Sequence, residues 1–375
     1  MIPYGRHSVD SDDIAAVVSA LKSDWLTTGP LVEAFESALE KIVGAPCVSV
    51  SSGTAALHCA YAAIGIQPGD EIITPPITFI ATQATAAHFG AKIVFADVQE
   101  DTANIDPVAV EAAITPRTKA IVAVDFGGHP ADLDELRAIA DRHGIYLIED
   151  AAHSLGSIYK QKPVGSIADI TTFSFFPTKN MTTTEGGAVS SINTDLLSKA
   201  KKFARQGLVR NTEALININE GPWHQEVHNF GLNYRLPDVL CALGLSQINR
   251  LESFTKKRRE IFNCYQVALS NMDSIRLPIE REYVTTNWHL YSIQVQPILR
   301  RTIFEMMRKE GIGVQVNYLP AYLHPVFDRR DYPAGLCKNA EKYYAGQLSL
   351  PMHYGLTMQE QEYVVSTFSR ILNTL

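Results

Sequence analysis

The sequence predicts an α/β protein in which a mostly parallel sheet lies between two layers of helices, followed by a smaller α+β domain. Short apolar strands alternate with helical segments over the first 150 residues, which is the pattern of consecutive βαβ units. The chain has 375 residues, enough for two or three domains. After about residue 250 the alternation gives way to a long charged helical segment. We therefore expect a large domain over residues 1–250 and a small domain over residues 251–375.

The order of the predicted elements follows from local signals. Asp10 precedes an apolar stripe of helical spacing, and Pro30 and Gly44 bracket a second stripe, as at the ends of capped amphipathic helices. Strands are then predicted over residues 47–50, 71–74, 92–95, 120–124, 145–148 and 290–295, and helices over 54–63, 79–89, 133–143, 251–270 and 300–310. Because ligands of such sheets bind beyond the carboxyl ends of the strands, the residues directly after each strand are the candidates for function.

Composition excludes several classes of protein. Hydrophobic residues make up 46% and charged residues 19% of the chain, and the net charge is −7, so we expect a globular protein without a basic face for nucleic acid or a membrane surface. No apolar run approaches a membrane span, and no signal core follows Arg6. The five cysteines are scattered, with no C-x-x-C pair, which favours a reducing cytoplasm and argues against a metal cluster.

The first candidate site is the segment 51–57, between a predicted strand and a predicted helix. Its small residues, Gly53 among them, let the backbone approach a ligand, and free N–H groups at a helix start favour an anion. The alternative is a plain strand-to-helix turn capped by Thr54, and the segment alone does not decide between them.

The second and third candidates are Asp150 and Lys179. Asp150 closes an apolar strand, where a carboxylate needs a cation or several hydrogen bonds; its alternative role is a helix N-cap. Lys179 follows another apolar strand in a segment rich in hydroxyls and glycine, where partial desolvation would make it a nucleophile rather than a solvated surface lysine. His153 alone is more often a core histidine than a catalytic one.

Together the three candidates match the needs of pyridoxal 5′-phosphate (PLP). Its phosphate requires N–H and hydroxyl donors, its pyridine nitrogen a carboxylate, and its aldehyde a lysine. Phe79, after another strand end, is placed to stack on the ring.

Several ordered blocks carry a family resemblance: residues 26–30, 52–57, 149–153, 174–179, 185–187 and 231–235. Over essentially the whole chain the sequence resembles the nucleotide-sugar aminotransferases of the DegT/StrS family, which are fold-type-I PLP enzymes. The resemblance implies that Lys179 holds the cofactor and moves protons, and that Asp150 pairs with its ring nitrogen. The cofactor-binding residues it implies are Gly53, Thr54, Phe79, Asp150, His153, Ser174, Lys179 and Asn233.

The resemblance also implies substrates and a partner. Asn233 and Arg235 would reach the neighbouring subunit's site, giving a homodimer with two shared active sites. Residues 2–6, 125–128, 288–291 and 314–318 are similar to the branch of the family in pseudaminic acid biosynthesis, which aminates C4 of a UDP-linked 4-keto-6-deoxy-2-acetamido sugar with L-glutamate as donor. The implied substrate-binding residues are Thr28, Arg235, Trp288, Asn317 and Tyr318.

Two departures and several alternatives remain. Asn317 stands where this branch leads us to expect His, and residues 180–184 lack the expected Pro and Gly, so a UDP-4-keto pentose or a dTDP-4-keto-6-deoxyhexose is the alternative substrate. Lys179 argues against relatives that carry His there and dehydrate sugars. No G-x-G-x-x-G or P-loop occurs, and His224 and His228 lack the H-E-x-x-H frame. A PLP-binding regulator would need a DNA-binding module, for which the length leaves no obvious room.

Overall fold

The computed structural model describes all residues from Met1 to Leu375. The helices are α1 (Ser11–Leu21), α2 (Pro30–Val43), α3 (Gly53–Ala63), α4 (Ala81–His88), α5 (Pro107–Ala113), α6 (Leu133–His143), α7 (Thr194–Ala204), α8 (Asp238–Leu269), α9 (Pro297–Lys309), α10 (Lys338–Gly346) and α11 (Met358–Leu372). None of them is both long enough and apolar enough to cross a membrane.

The strands are short. They are β1 (Cys47–Val50), β2 (Glu71–Thr74), β3 (Lys92–Phe95), β4 (Thr118–Val124), β5 (Tyr146–Asp150), β6 (Ile158–Tyr159), β7 (Lys162–Pro163), β8 (Ile170–Ser174), β9 (Gly187–Ser190), β10 (Leu208–Val209), β11 (Glu226–Val227), β12 (Val284–Thr285), β13 (Tyr291–Gln294) and β14 (Gln347–Leu350). Seven of them form the main sheet, in the order β1-β9-β8-β5-β4-β2-β3.

The main sheet is mostly parallel, as predicted. The pairs β2–β3, β2–β4, β4–β5 and β5–β8 are parallel, and only β9 runs against both of its neighbours. The carboxyl ends of β4, β5 and β8 therefore meet at one edge of the sheet. Strand β5 continues two residues beyond the predicted end, so that Asp150 is its last residue.

Local signals fixed the first helices correctly. Asp10 caps α1 in a capping box, and Gly44 ends α2 with a φ of 71°, the left-handed conformation that favours glycine. Helix α8 was predicted too short, because it begins at Asp238 rather than near 251. Its first turns are small and apolar since they pack on α2: a Cβ on Gly244 would lie 2.5 Å from Cε2 of Phe35.

The apolar core has separate parts. One surrounds the sheet, with Ile72, Val122 and Ile148 fully buried. Another lies among α8, α9, α11, β13 and β14, and Ile2 at the N-terminus joins it. Helix α8 contributes to this second part and to a third one around α2. The division at residue 250 stays a prediction, since that residue lies inside α8.

Candidate active site

A cavity of about 460 Å³ opens at the carboxyl-terminal edge of the main sheet. One side, which we call the sheet-edge wall, consists of Gly53, Thr54, Asp150, His153, Ser174 and Lys179. The opposite side, the C-terminal wall, consists of His289, Gln315, Asn317 and Tyr318. Phe79 and Tyr4 also line the cavity. Most of the residues predicted from the sequence are thus brought together in one place.

The N-terminus of α3 forms one end of the sheet-edge wall. The cap is Ser52, whose Oγ accepts a hydrogen bond from the Ala55 N–H at 3.0 Å, and not Thr54 as the alternative reading had it. The N–H groups of Gly53 and Thr54 belong to the first helical turn and have no partner within the helix. A Cβ on Gly53 would lie 2.7 Å from Cβ of Ser174, so glycine is required for this close approach. Unpaired donors beside a hydroxyl form an anion site.

Asp150 lies at the end of β5, buried, with its carboxylate held in place. Its Oδ2 accepts from Thr82 Oγ1 at 2.7 Å and its Oδ1 from the Ala152 N–H at 3.2 Å. Burial raises the pKa of Asp150, while these bonds and the charge of Lys179 oppose the rise. No helix begins after it, so it is not an N-cap.

Lys179 follows β8 in the loop that continues the sheet edge. Its ammonium group forms no ion pair, and burial lowers the pKa of Lys179 to about 8, against the opposing effect of the Asp150 charge. An amine with such a pKa is partly unprotonated near neutral pH and is therefore a nucleophile and a base.

Two histidines pack against each other beside the lysine, with their rings inclined by 40°. The rings of His153 and His289 lie 4.3 Å apart between centroids, and burial lowers the pKa of both well below the usual value, so both are neutral. Nδ1 of His153 accepts from the Gly127 N–H at 3.3 Å, which places its proton on Nε2. Nε2 lies 3.4 Å from the hydroxyl of Tyr318, where it can donate to a ligand oxygen.

Phe79 presents an open aromatic face. It is 60% exposed although it lines a cavity, and its ring meets Tyr318 edge-on at 6.3 Å. An exposed ring at the cavity wall is suited to stacking on a planar ligand.

These groups fit PLP. The unpaired N–H groups beside Ser174 suit its phosphate, the buried carboxylate of Asp150 suits a protonated ring nitrogen, and Lys179 suits its aldehyde. The close approach of Gly53 to Ser174 brings the N–H groups of α3 and a hydroxyl together, and the exposed face of Phe79 is a surface that a bound cofactor would cover.

Four predicted residues do not line the cavity. Thr28 and Asn233 are exposed on the surface. Arg235 lies next to the sheet edge, bridged to Val50, and donates to Gln206 Oε1 at 3.2 Å. Trp288 was predicted to contact substrate, but its ring is buried.

Trp288 stacks on another aromatic side chain away from the cavity. Its ring lies 3.6 Å from that of Phe262 between centroids, within the C-terminal core. The next residue, His289, takes the place at the cavity that Trp288 was expected to occupy.

The sequence analysis missed several lining or supporting residues. Tyr4 hydrogen-bonds Asn317, 313 residues away, so no local pattern identifies it. Thr82 lies three residues after Phe79, one helical turn on, which is the only signal for its contact with Asp150. Gln315 shares the extended segment of Asn317, two residues earlier, and the alternation of such segments was the available signal.

Comparison with known proteins agrees with this geometry. The DegT/DnrJ/EryC1/StrS aminotransferase family profile matches residues 7–369. The spore coat polysaccharide biosynthesis protein SpsC of Bacillus subtilis is 38% identical over 378 residues, covering 99% of this chain and 97% of that protein. The UDP-4-amino-4,6-dideoxy-N-acetyl-beta-L-altrosamine transaminase of Campylobacter jejuni is 38% identical over 380 residues, covering 99% of this chain and 98% of that protein.

Solved structures give the same result. PseC of Helicobacter pylori, an aminotransferase involved in the biosynthesis of pseudoaminic acid, superposes with a TM-score of 0.93 at 30% identity over 100% of both chains. Spr1654 of Streptococcus pneumoniae in its PLP form gives a TM-score of 0.91 at 29% identity over 100% of this chain and 99% of that one.

Proposed function

The chain belongs to the DegT/DnrJ/EryC1/StrS aminotransferase family, and we propose that it transfers the amino group of L-glutamate to C4 of a UDP-linked 2-acetamido-4-keto-6-deoxy sugar. It is a PLP-dependent sugar aminotransferase; the donor, the sugar and the pathway are the proposal. The product would be UDP-4-amino-4,6-dideoxy-N-acetyl-β-L-altrosamine, a precursor of pseudaminic acid. The meeting of Lys179, Asp150 and the open N-terminus of α3 in one cavity supports the aminotransferase chemistry, and the similarity to the Campylobacter jejuni transaminase and to PseC supports the choice of sugar.

The cofactor would be held by the sheet-edge wall. When bound, PLP supplies an electron sink for charge developing at the carbon that carries the amine. Gly53, Thr54 and Ser174 would bind its phosphate and Phe79 would stack on its ring. Nε2 of His153 would donate to its ring oxygen, because Nδ1 is already occupied by the Gly127 N–H.

Asp150 and Lys179 would divide the chemistry between them. The carboxylate of Asp150, aimed by Thr82 and Ala152, holds a proton on the ring nitrogen. Nζ of Lys179 takes the proton from the α carbon of glutamate and, in the second half-reaction, delivers one to C4 of the sugar. Its pKa of about 8 suits both tasks near neutral pH.

The sugar nucleotide would lie against the C-terminal wall, with Asn317 and Tyr318 as contacts and Thr28 and Arg235 reaching it from the edge. The similarity to the Campylobacter jejuni transaminase and to PseC supports the 2-acetamido sugar. A UDP-4-keto pentose or dTDP-4-keto-6-deoxyhexose is the alternative. A reducing cytoplasm is the compartment we propose, consistent with five cysteines that form no disulfide.

A homodimer with shared sites is part of the proposal. Large apolar side chains are exposed in two segments, at Trp25 and Leu26 and over residues 216–232, where Phe230 is 98% exposed. Such clusters mark interaction surfaces. Asn233 and Arg235 follow the second segment directly, so a partner packed there would receive both residues near its own cavity.

The substrate is tested with a panel of UDP- and dTDP-linked 4-keto sugars. The purified protein is incubated with L-glutamate and each sugar, and 2-oxoglutarate is measured. We expect the UDP-2-acetamido sugar to give the highest kcat/KM. A clear preference for a dTDP sugar or for the pentose would replace the proposed substrate while leaving the aminotransferase assignment in place.

Shared sites are tested by mixing two inactive variants. In a hybrid of Lys179→Ala and Asn233→Ala subunits, one of the two composite sites contains both native residues. We expect the mixture, after subunit exchange, to recover part of the activity that neither variant has alone. No recovery in hybrids verified by mass spectrometry would contradict the shared-site arrangement.

A further inference from the structure

We propose that Gln315 and Asn317 form a pair of amide N–H donors that binds hydrogen-bond acceptor oxygens of the sugar nucleotide. This inference rests on the proposed function and deepens it, because it assigns two donors of the C-terminal wall to the sugar substrate. Both residues line the cavity opposite the sheet-edge wall.

The amide of Asn317 has its oxygen fully occupied. Oδ1 accepts from the hydroxyl of Tyr4 at 3.0 Å and from Oγ of Ser349 at 3.0 Å. Asn317 is buried, and the Tyr318 hydroxyl is the one side chain that its N–H group approaches. At least one hydrogen of this amide is therefore available on the cavity side.

A chain of hydrogen bonds fixes which way that amide points. The Asn317 N–H donates to Oε1 of Gln347 at 2.7 Å, and a backbone donor identifies Oε1 as the oxygen. Nε2 of Gln347 therefore faces and donates to Oγ of Ser349 at 2.7 Å. Oγ of Ser292 lies 2.9 Å from that hydroxyl and can donate to it. The proton of Ser349 is then left for Oδ1 of Asn317, which makes Nδ2 the end that is left over.

Gln315 repeats the arrangement nearer the cavity mouth. Its Oε1 accepts from the Val316 N–H at 2.9 Å, again a backbone donor that fixes the orientation of the amide. Its backbone is anchored to Ser349 by two hydrogen bonds, of 3.2 and 2.8 Å. Nε2 donates no hydrogen bond within the chain, so its N–H groups are free to bind a ligand.

The free N–H groups of the two amides can donate to carbonyl, keto and phosphate oxygens of a ligand in the cavity. Neither amide carries a charge, so their hydrogen bonds do not depend on pH. Sites built to hydrogen-bond a substrate lose much of their selectivity when those donors are removed, because the partner oxygens are then left unpaired.

The experiment compares the two half-reactions in the PLP-loaded enzyme. Asn317→Asp keeps the acceptor for Tyr4 and Ser349 but removes the Nδ2 donors; Gln315→Met removes the outer donors without adding charge. Asn271→Asp, at an exposed position after α8, is the matched control. Stopped-flow absorbance gives the second-order rate constant for glutamate and, with aminated cofactor, for the UDP-4-keto sugar, and calorimetry gives the Kd of the aminated sugar product.

We expect the ratio of the sugar constant to the glutamate constant to fall at least tenfold in Asn317→Asp and about threefold in Gln315→Met, with Kd rising in parallel. The control should leave both constants unchanged. An unchanged ratio and Kd in both variants would overturn the inference while leaving the proposed function standing. If the native enzyme reacts with glutamate but no 4-keto sugar nucleotide discharges its aminated cofactor, the proposed function itself is wrong.

Discussion

The sheet-edge wall and the C-terminal wall face the same cavity but hold their polar groups in different ways. In the sheet-edge wall, charged side chains follow strand ends, and Asp150 and Lys179 owe their positions to the register of β5 and β8. In the C-terminal wall the groups are neutral, and distant segments fix them: Tyr4 and Ser349 reach Asn317 from opposite ends of the chain. The sheet thus positions the charged, reactive side chains, whereas hydrogen bonds between distant segments position the neutral side chains proposed to bind the substrate. Damage to the first wall should therefore affect both half-reactions, and damage to the second mainly one.

The largest effect is expected for Lys179→Ala. Both half-reactions should fall by about four orders of magnitude or more, because the variant loses both the nucleophile and the proton carrier. Release of 2-oxoglutarate and the absorbance change with the keto sugar measure the two halves separately. Lys22→Ala, at an exposed position, is the control and should retain native rates. A near-native rate in either half-reaction would contradict the expectation that the sheet-edge wall serves both half-reactions.

The second largest effect is expected for Asp150→Asn. We expect both rates to fall by roughly a hundredfold or more, because a neutral amide no longer favours a protonated ring nitrogen. The same change should lower the pKa of Lys179, because the charge of Asp150 raises that pKa in the native protein. The rate at which apoprotein captures added PLP, followed by absorbance, should rise with pH through about 8 in the native protein, and the midpoint should move to lower pH in the variant. A midpoint moving upwards would show that Asp150 does not act on Lys179 through its charge.

A buried carboxyl group near the sheet-edge wall, that of Asp125, should make the stability of the protein depend on pH. Asp125 follows β4, fully buried, and accepts from Ser154 Oγ at 2.5 Å and the Ala131 N–H at 3.0 Å. Burial raises the pKa of Asp125 to about 6. Since the folded-state pKa is the higher one, its contribution to the free energy of unfolding is complete below about pH 4 and is lost as pH rises through about 6.

Asp125→Asn should reduce that pH dependence. The amide is neutral throughout, so the loss attributable to this carboxyl should disappear, while the buried Glu149 beside it, whose pKa burial also raises, keeps its own contribution. Urea denaturation of the apoprotein between these pH values measures it, with the exposed Asp273→Asn as control. A difference between the native protein and the variant in the free energy of unfolding that stays constant over this range would contradict the expectation.

Tyr318→Phe should have the smallest effect. The 3.4 Å contact from its hydroxyl to Nε2 of His153 joins the two walls, but a contact this long is weak. We expect a change of only a few fold in PLP affinity and in both rate constants, measured by equilibrium titration and stopped flow. Tyr363→Phe, on the surface, is the control. A large loss in both half-reactions would mean that the walls act as one unit.

The sheet-edge wall could be predicted from the sequence, because apolar runs locate the strand ends. The residue types that follow a strand end then indicate the chemistry of the site. Asp150 and Lys179 are examples. The C-terminal wall was less accessible, since which of two neighbours faces a cavity depends on packing. Trp288 was expected at the substrate because of the family resemblance, but its ring stacks on Phe262, and His289 takes the cavity position. The start of α8 was missed because buried small residues show no amphipathic period.

Helix α8 has a mechanical consequence. Its 32 residues span about 48 Å, with Cys241 packed in the core around α2 and Tyr265 in the C-terminal core. Residue 250, where the sequence suggested a boundary, lies within an unbroken rod. Bending there would break the hydrogen bonds of a helical turn. The helix therefore joins the core around α2 to the C-terminal core as one rigid element.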